Sequence, residues 1–405
     1  MTVLSTPEQA LGAAREVAAI LAKDAVERDR ANAEPLAEAQ LLRDAGLPAL
    51  LLPTSVGGAG QDWSTGLRVV RAIAEADGSI AQLLGYHYVN AANLVWVGDA
   101  DGLRRWGTPS AAEQWLWGDA VNPVDPDLEL IPDGGEDGGE NGTAYLLRGR
   151  KNFATGVSTG DASVVSGTVR RPDGTLGEHL LVVVRGDDPG LHRGGDWDNL
   201  GQRLSASGSV TFHDVRITPE QVVGALGTDH ATARASLVTP AIQSVFGNLY
   251  LGIAQGALAT AREYTLGTSR PWLLSDSERA AADPYVLANY GRLVSSVRAV
   301  QALADEVGAE LARADAAGVS LTWEARGELA ELIAALKVAS TDVALHVTST
   351  VFEVTGARAT SNAVGLDRFW RNVRTHTLHD PVAYKQREVG DHFLNGTHPP
   401  FTLYT

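Results

Sequence analysis

The run Tyr290-Gly-Arg-Leu-Val-Ser-Ser-Val-Arg-Ala-Val-Gln-Ala-Leu-Ala-Asp-Glu-Val-Gly-Ala-Glu-Leu311 decides how this chain is built. In it Tyr290, Val294, Val297, Val300, Ala304, Val307 and Leu311 return every three or four residues, the spacing that lines one side of an α-helix. Leu329, Leu332, Leu336, Ala339, Val343 and Val347 repeat the pattern. Helices of about six turns with a single apolar stripe bury it against other helices, so the region reads as a bundle. Just upstream, Gly247, Gly252, Ala254 and Gly256 fall in another helical run, where side chains this small let a neighbouring helix come close.

Working outward, residues 7 to about 110 are also helical in pattern, over Ala10–Leu21, Glu34–Leu47, Thr65–Ala76 and Ile80–Val97. The turn run Pro53-Thr-Ser-Val-Gly-Gly-Ala-Gly60 interrupts them. Between about 113 and 220 the period shortens to strand-like pieces: Tyr145–Leu147, Ser163–Val169, His179–Val184 and Ser209–Ile217. Gly, Asp and Pro separate them, as in an antiparallel sheet or barrel. The connection Asp133–Gly142 holds only Gly, acids and one Asn; a solvated hairpin loop is the expected form, a calcium site the alternative. The fold class is α+β, with a helical domain over 1–112, a β domain over 113–225 and a helical bundle with a tail over 226–405. No internal repeat is visible.

Composition narrows the function. The 405 residues are 44% hydrophobic and 20% charged, an ordinary globular balance. A net charge of −16 disfavours nucleic acid and anionic membranes as partners. With no cysteine, disulfides, thiolate metal sites, iron–sulfur clusters and cysteine nucleophiles are excluded. The N-terminal stretch reads as an amphipathic helix and not as a signal peptide, and no apolar run approaches the ~18 residues of a membrane span. The expected compartment is the cytoplasm.

Gly57-Gly-Ala-Gly60 follows Pro53 and lacks the strand–helix setting of a dinucleotide fingerprint, so it reads as a turn. A Walker-type loop, a His-Glu-x-x-His pair and a Gly-x-Ser-x-Gly elbow are missing. Arg371-Asn-Val-Arg-Thr-His-Thr-Leu-His-Asp-Pro381 is the strongest local signal. His376 and His379, three residues apart, can face one side of a helix end, and Pro381 favours a break there. On spacing alone they fit a pair of imidazoles at a cleft, or two half-buried histidines at a helix terminus, the commoner case. A metal needs a third ligand; His87 could supply one, but without further support no metal is expected. Lys151-Asn-Phe-Ala-Thr-Gly156 joins an aromatic, a hydroxyl and a glycine at a strand end, and Trp197 suits ring stacking or core filling.

Several of these segments resemble the acyl-CoA dehydrogenase superfamily: Gly46–Gly60, Lys151–Gly156 and Arg371–Arg374. Within it the chain looks most like the dibenzothiophene monooxygenase group of two-component flavin monooxygenases, from about residue 7 to the C-terminus. The likeness is densest in Asn248–Leu258, Ala261–Tyr264, Arg270-Pro-Trp272 and Phe369–Pro381. It implies an N-terminal helical domain, a central β-barrel-like domain and a C-terminal four-helix bundle, assembled as a homotetramer. It also turns the two histidines into site residues.

The resemblance further implies that reduced FMN, supplied by a separate flavin reductase, reacts with O2. A C4a-hydroperoxyflavin would then oxygenate an apolar aromatic or heteroatom-containing small molecule at S, N or C. FAD is the less fitting cofactor, because Arg358 stands where dehydrogenases keep a Gly-rich adenosine turn, and a guanidinium suits a terminal phosphate. Thr155 and Gly156 would face the flavin, with Trp197 packed on the ring. Ser207, Arg270 and Arg358 would hold the phosphate, with Asp380 also beside the cofactor. His87, His376 and His379 would lie over the reactive face, with His379 as donor. Phe153, Tyr88 and Leu84 would line a dry substrate pocket. Asp119 replaces an Asn usual in the group, and an Asp donates a hydrogen bond only when protonated. The rival readings are an FAD-dependent acyl-CoA dehydrogenase with Asp380 as base and a non-catalytic flavin-fold binding protein. The tail Thr397–Thr405, with two prolines, Phe401, Leu403 and Tyr404, is expected to close the site or a subunit contact.

Overall fold

The computed structural model describes residues 3–122, 128–133, 144–225, 232–402 and 404. The first third forms six helices: α1 (Pro7–Leu21), α2 (Ala25–Ala31), α3 (Leu36–Asp44), α4 (Trp63–Ala74), α5 (Gly78–Trp96) and α6 (Ala100–Glu113). Their starts follow the sequence. Thr6 and Gln9 close a capping box on α1, and Asp62, Asp77 and Asp99 each cap a helix through their carboxylates. Eight strands come next: β1 (Trp117–Ala120), β2 (Glu129–Pro132), β3 (Tyr145–Lys151), β4 (Ala162–Arg170), β5 (Leu176–Arg185), β6 (Leu191–Arg193), β7 (Val210–Ile217) and β8 (Val222–Ala225). The remainder is α7 (Val238–Gly267), α8 (Pro284–Ala317), α9 (Trp323–Thr355), α10 (Asp367–His376) and α11 (Val382–Asn395).

The strands form one sheet in the order β6-β7-β3-β2-β4-β5-β8, with β1 paired to β4. It is mixed, not antiparallel throughout as the strand pattern implied. Trp117–Ala120 lies parallel to Ala162–Val165, and Glu129–Leu130 lies parallel to Thr168–Val169. Both segments run along the same strand in the same direction. The acidic connection between β2 and β3, where a calcium site was the alternative to a loop, lies outside the described residues.

Helices from both ends of the chain share one hydrophobic core. Leu42, Ile73 and Leu84 from the first third pack in the same cluster as Leu249, Val300 and Leu336. A second cluster joins the sheet to α5 and α6 through Leu94, Trp115, Trp117, Val164 and Val183. α7 and α9 are long and apolar enough to cross a membrane by length and composition, but 89% of the apolar window of α7 is buried within the protein. Its apolarity serves helix packing.

The small residues of α7 do what their size implies. A Cβ on Gly252 would sit 2.4 Å from the Arg71 carbonyl oxygen, and one on Gly256 would sit 1.9 Å from that of Glu75. Both glycines are thus the seat of α4. The tail docks on the bundle: Phe401 packs on Trp323 at 5.9 Å and under the Arg326 guanidinium at 5.3 Å. Lys385, at the buried face of α11, donates to the Tyr404 carbonyl at 2.8 Å.

Gly256→Ala should force α4 and α7 apart and cost about 1–3 kcal/mol or more of stability. Gly291→Ala on α8, where nothing lies within 4 Å of the new methyl, should be neutral or stabilising. Chemical denaturation midpoints check both; an unchanged midpoint for Gly256→Ala contradicts the packing account.

Candidate functional site

The site forms where α5, α7, α9 and the end of α10 meet the β1 and β3–β4 side of the sheet. On α5, Gln82, Tyr86 and Asn90 are spaced by four and share one face. The Gln82 amide donates to Thr155 Oγ1 at 3.4 Å. Thr155, Ser207 and Ser205 form a chain of hydroxyls, each 2.8 Å from the next, and Ser205 donates to the Gln202 carbonyl at 2.8 Å. Because that carbonyl only accepts, the row can run in one direction from Gln82 through Thr155, Ser207 and Ser205 to Gln202. Thr155 Oγ1 then keeps a lone pair for an incoming N–H.

The backbone that presents this row is in the left-handed region at Phe153 (φ 57°), Gln202 (φ 53°) and Ala206 (φ 51°). Non-glycine residues there are strained and gather at functional sites. Gly156 shares the conformation (φ 73°) and donates its N–H to the Ala206 carbonyl at 3.1 Å. Trp197 is half-buried, anchored by its indole N–H to the Gln202 carbonyl at 2.7 Å, and meets Phe153 edge-on at 6.1 Å. Asn372 ties α10 to the same loop by accepting the Gln202 N–H at 2.8 Å, while Arg371 pairs with Asp29 at 2.5 Å.

The two histidines, their rings stacked at 5.8 Å and 11°, reach the same face of α5 through Tyr86, which meets His376 edge-on at 6.2 Å. Phe246 wedges edge-on against His376 at 4.7 Å and tilts against His379 at 5.0 Å. The Tyr250 hydroxyl lies 2.9 Å from His376 Nδ1 and 3.2 Å from the His376 carbonyl. Both contacts are satisfied when the hydroxyl donates to the carbonyl and accepts from a protonated Nδ1. His376 Nε2 is then an unprotonated acceptor, and it is enclosed without a protein partner. Burial first, then the neighbouring His379 and Lys337, hold the His376 pKa well below its ordinary value, so the ring is neutral.

Lys337 on α9 is fully buried and donates to Asp380 at 2.6 Å and to the Gln243 carbonyl oxygen at 3.2 Å. The Gln243 amide donates back to Asp380 at 3.3 Å, and His379 Nδ1 lies 3.4 Å from the same carboxylate. Burial pushes Asp380 up, but the hydrogen bond from His379 and the charge of Lys337 override it and hold the carboxyl well below the usual range. An acid this stabilised as an anion, with both oxygens occupied, is a poor proton acceptor and an orienter of His379.

Asp119, at the end of β1, accepts the Val121 N–H at 3.0 Å, and the Asn90 side chain also hydrogen-bonds it. Burial pushes its pKa up to about 6, against the Val121 hydrogen bond and the His379 and Lys151 charges. It is therefore able to carry a proton, as an Asn-like donor, in mildly acidic solution.

Other expected residues stand elsewhere. His87 accepts the Trp117 N–H at Nδ1 (3.0 Å) and donates from Nε2 to the Pro48 carbonyl (2.8 Å), with burial lowering its pKa to about 4. Both nitrogens are used, so it pins β1 to α5 and is not part of the reactive face. Tyr88 hydrogen-bonds the Leu47 carbonyl and lines a cavity of about 70 Å³ with Pro48, Trp63 and Trp96, on the opposite side of α5 from Tyr86. Leu84 lies on that opposite side too, in the helical core. Phe153 is 62% exposed, so in a single chain it does not line a dry pocket. Arg270 and Arg358 are exposed near the far ends of α7 and α9, beside the Ser269 hydroxyl that donates to the Thr355 carbonyl. From Tyr250 to the end of α7 is about 25 Å of helix. They do not converge on Ser207, which is buried in the hydroxyl row, nor on Asp380, which is tied to Lys337.

The sequence reading missed Gln82, Tyr86, Asn90, Gln243, Tyr250 and Lys337. A signal existed for two sets. Gln82, Tyr86 and Asn90 form a polar stripe on an apolar helix, and Lys337 is the one Lys or Arg between Arg326 and Arg358.

This architecture agrees with comparisons to known proteins. The model of the acyl-CoA dehydrogenase N-terminal domain matches residues 8–118, and that of the acyl-CoA dehydrogenase C-terminal domain matches residues 244–383. The chain belongs to the acyl-CoA dehydrogenase family. Within the family it is similar to monooxygenases. It is 40% identical to a dibenzothiophene monooxygenase of Rhodococcus qingshengii, over 93% of this chain and 90% of that protein. It is 38% identical to the probable FMNH2-dependent monooxygenase SfnC of Pseudomonas putida, over 100% and 99%. The crystal structure of TdsC from a Paenibacillus species, in complex with FMN and indole, superposes with a TM-score of 0.92 at 37% identity, over 98% of this chain and 99% of that one.

Asp119→Asn tests the buried acid. A folded-state pKa raised from 3.8 to about 6 leaves full stability below pH ~4 and removes part of it as pH rises through ~6. Since Asp119 keeps some solvent access, the loss is about 1–2 kcal/mol. The variant should therefore gain stability over the wild type above pH ~6 and none near pH 4. Parallel pH–stability curves for the two proteins contradict the raised pKa.

Proposed function

We propose that the chain is the oxygenase component of a two-component monooxygenase, which takes reduced FMN from a flavin reductase and uses O2 to oxygenate a small apolar aromatic or heteroatom-containing molecule. The supporting observation is the pairing of a hydroxyl row with two histidines whose hydrogen-bonded carboxylate, Asp380, is locked by Lys337. An acyl-CoA dehydrogenase needs a free carboxylate base at this place, and Asp380 is not one.

A flavin suits the polar atoms left without protein partners. Gln82 Oε1, both side-chain heteroatoms of Gln202 and His376 Nε2 are enclosed and unpaired, which calls for a flat ligand with donors and acceptors on its edge. Bound reduced FMN would supply the electrons that activate O2. Thr155 Oγ1 accepts an N–H at the hydroxyl row, and His376 Nε2 accepts on the other side. His379, oriented by Asp380 and open to solvent, holds and renews the proton needed where O2 is reduced. Phe246, Tyr86 and Tyr250 exclude water around His376; burial raises both phenol pKa values well above the ordinary one, so neither ionises there. The dibenzothiophene and indole named for two relatives are flat aromatic molecules; oxygenation at S, N or C is all compatible with this wall.

Arg270 and Arg358 take part only if a second chain brings them to this site. The exposed apolar run Trp272-Leu273-Leu274 beside Arg270 favours such a contact, in a homotetramer. In that assembly the units 1–112, 113–225 and 226–405 act together, and the compartment is the cytoplasm.

His379→Ala should keep flavin affinity while diverting most reducing equivalents to H2O2. Product formed per reduced FMN consumed, read beside H2O2 yield, checks this; unchanged coupling excludes His379 as the donor.

A further inference from the structure

We propose a divalent transition-metal site outside the flavin region, formed by Glu328, His392 and His398, that clamps the C-terminal tail. One ligand atom from each lies within 4.8 Å of the others. They come from three segments: the start of α9, the last turn of α11 and the tail. The chain is folded to bring them there. Gly396, left-handed at φ 68°, ends α11 and turns the tail back. His398 then rests on Gly327, where a Cβ would lie 2.4 Å from its Nδ1. That seat leaves His398 Nε2 free to face Glu328 Oε1 at 3.0 Å. The His392 ring lies parallel to that of His398, 5.1 Å away at 23°, and His392 Nδ1 is enclosed with no protein partner.

Two imidazoles and one carboxylate with an open position suit a zinc-class ion better than calcium or magnesium, which prefer all-oxygen shells. Sequence spacing could not reveal it, because Glu328 and His392 stand 64 residues apart and only the packing of α11 on α9 joins them. An ion here would cross-link α9, α11 and the tail. The same tail seats Phe401 on Trp323, and Lys385 holds its Tyr404 carbonyl. Tyr404 in turn feels the charge of Asp380, so the clamp would fix the segment that borders the buried ion pair.

The test uses the full-length protein without an affinity tag, stripped with a chelator and titrated with Zn2+ in a calorimeter. Co2+ absorption reports the coordination. The expected result is one ion per chain, with slower proteolysis of the tail in its presence. Glu328→Gln and His398→Gln should each weaken binding by about 10- to 100-fold and abolish the protection. Glu328 is exposed, so its variant tests the site without a folding penalty. His213→Gln, in the separate His192–His213 ring pair, should leave binding unchanged. Absence of saturable binding, binding that survives both ligand variants, or binding lost with His213→Gln overturns the proposal.

Discussion

The buried contact between Lys337 and Asp380 is the constraint on which the centre of this protein depends. A lysine with no solvent access costs several kcal/mol to desolvate as a cation, and its carboxylate partner offsets that cost only at close range. Each group therefore fixes the other. Gln243 completes the arrangement by accepting from the ammonium and donating to the carboxylate, while the ammonium also sits 4.6 Å from the centre of the Phe246 ring. In this way α7, α9 and the turn after α10 are held in one geometry. His379, adjacent to Asp380 in sequence, is aimed by it, and Phe246 sets the spacing between the two histidines.

The opposite wall is set by the sheet and the loop before β7. There the strain is in the backbone, at Phe153, Gln202 and Ala206, and the compensation is the hydroxyl row and the Gly156–Ala206 hydrogen bond. α10 bridges the two walls: Asn372 and Arg371 grip the Gly201–Gln202 turn, so closely that a Cβ on Gly201 would collide with the Arg371 carbonyl. The family motif around Arg371 is thus a fastener between the layers. This division explains how a dehydrogenase fold can serve oxygen chemistry. Asp380 is the counter-ion of a lysine, and two imidazoles lie beside it.

Much of the fold was legible because long single-period helices leave few packing choices. The glycines of α7 pointed to a close helix contact, and α4 is the helix that fills it. What misled was the assumption of one buried face per helix. On α9, Leu332, Ala339 and Val343 are only half-buried, whereas Ile333, Lys337, Ser340 and Thr341 are fully inside, because α7, α8, α10 and α11 cover more than one side. On α5, which is buried almost all round, apolar and aromatic residues gave no sense of direction. Leu84, His87 and Tyr88 were read as the site face, whereas the polar residues Gln82 and Asn90 lie on the face that meets Thr155 and Asp119. His376 and His379 were legible only through family resemblance, since the partners that give them roles, Tyr250 and Asp380 with Lys337, are long-range. Arg270 and Arg358 were grouped with Ser207 by family resemblance, and within one chain helix length separates them.

The most direct test of the account is to follow labelled oxygen. The protein is supplied with reduced FMN by a separate reductase, isotopically labelled O2, and dibenzothiophene or indole as probe. The account predicts a product bearing one labelled oxygen atom, with yield tied to the reduced FMN consumed and lost when FMN is omitted. Conversion of all consumed O2 to H2O2 without labelled product, together with bleaching of bound flavin by an acyl-CoA, would contradict it.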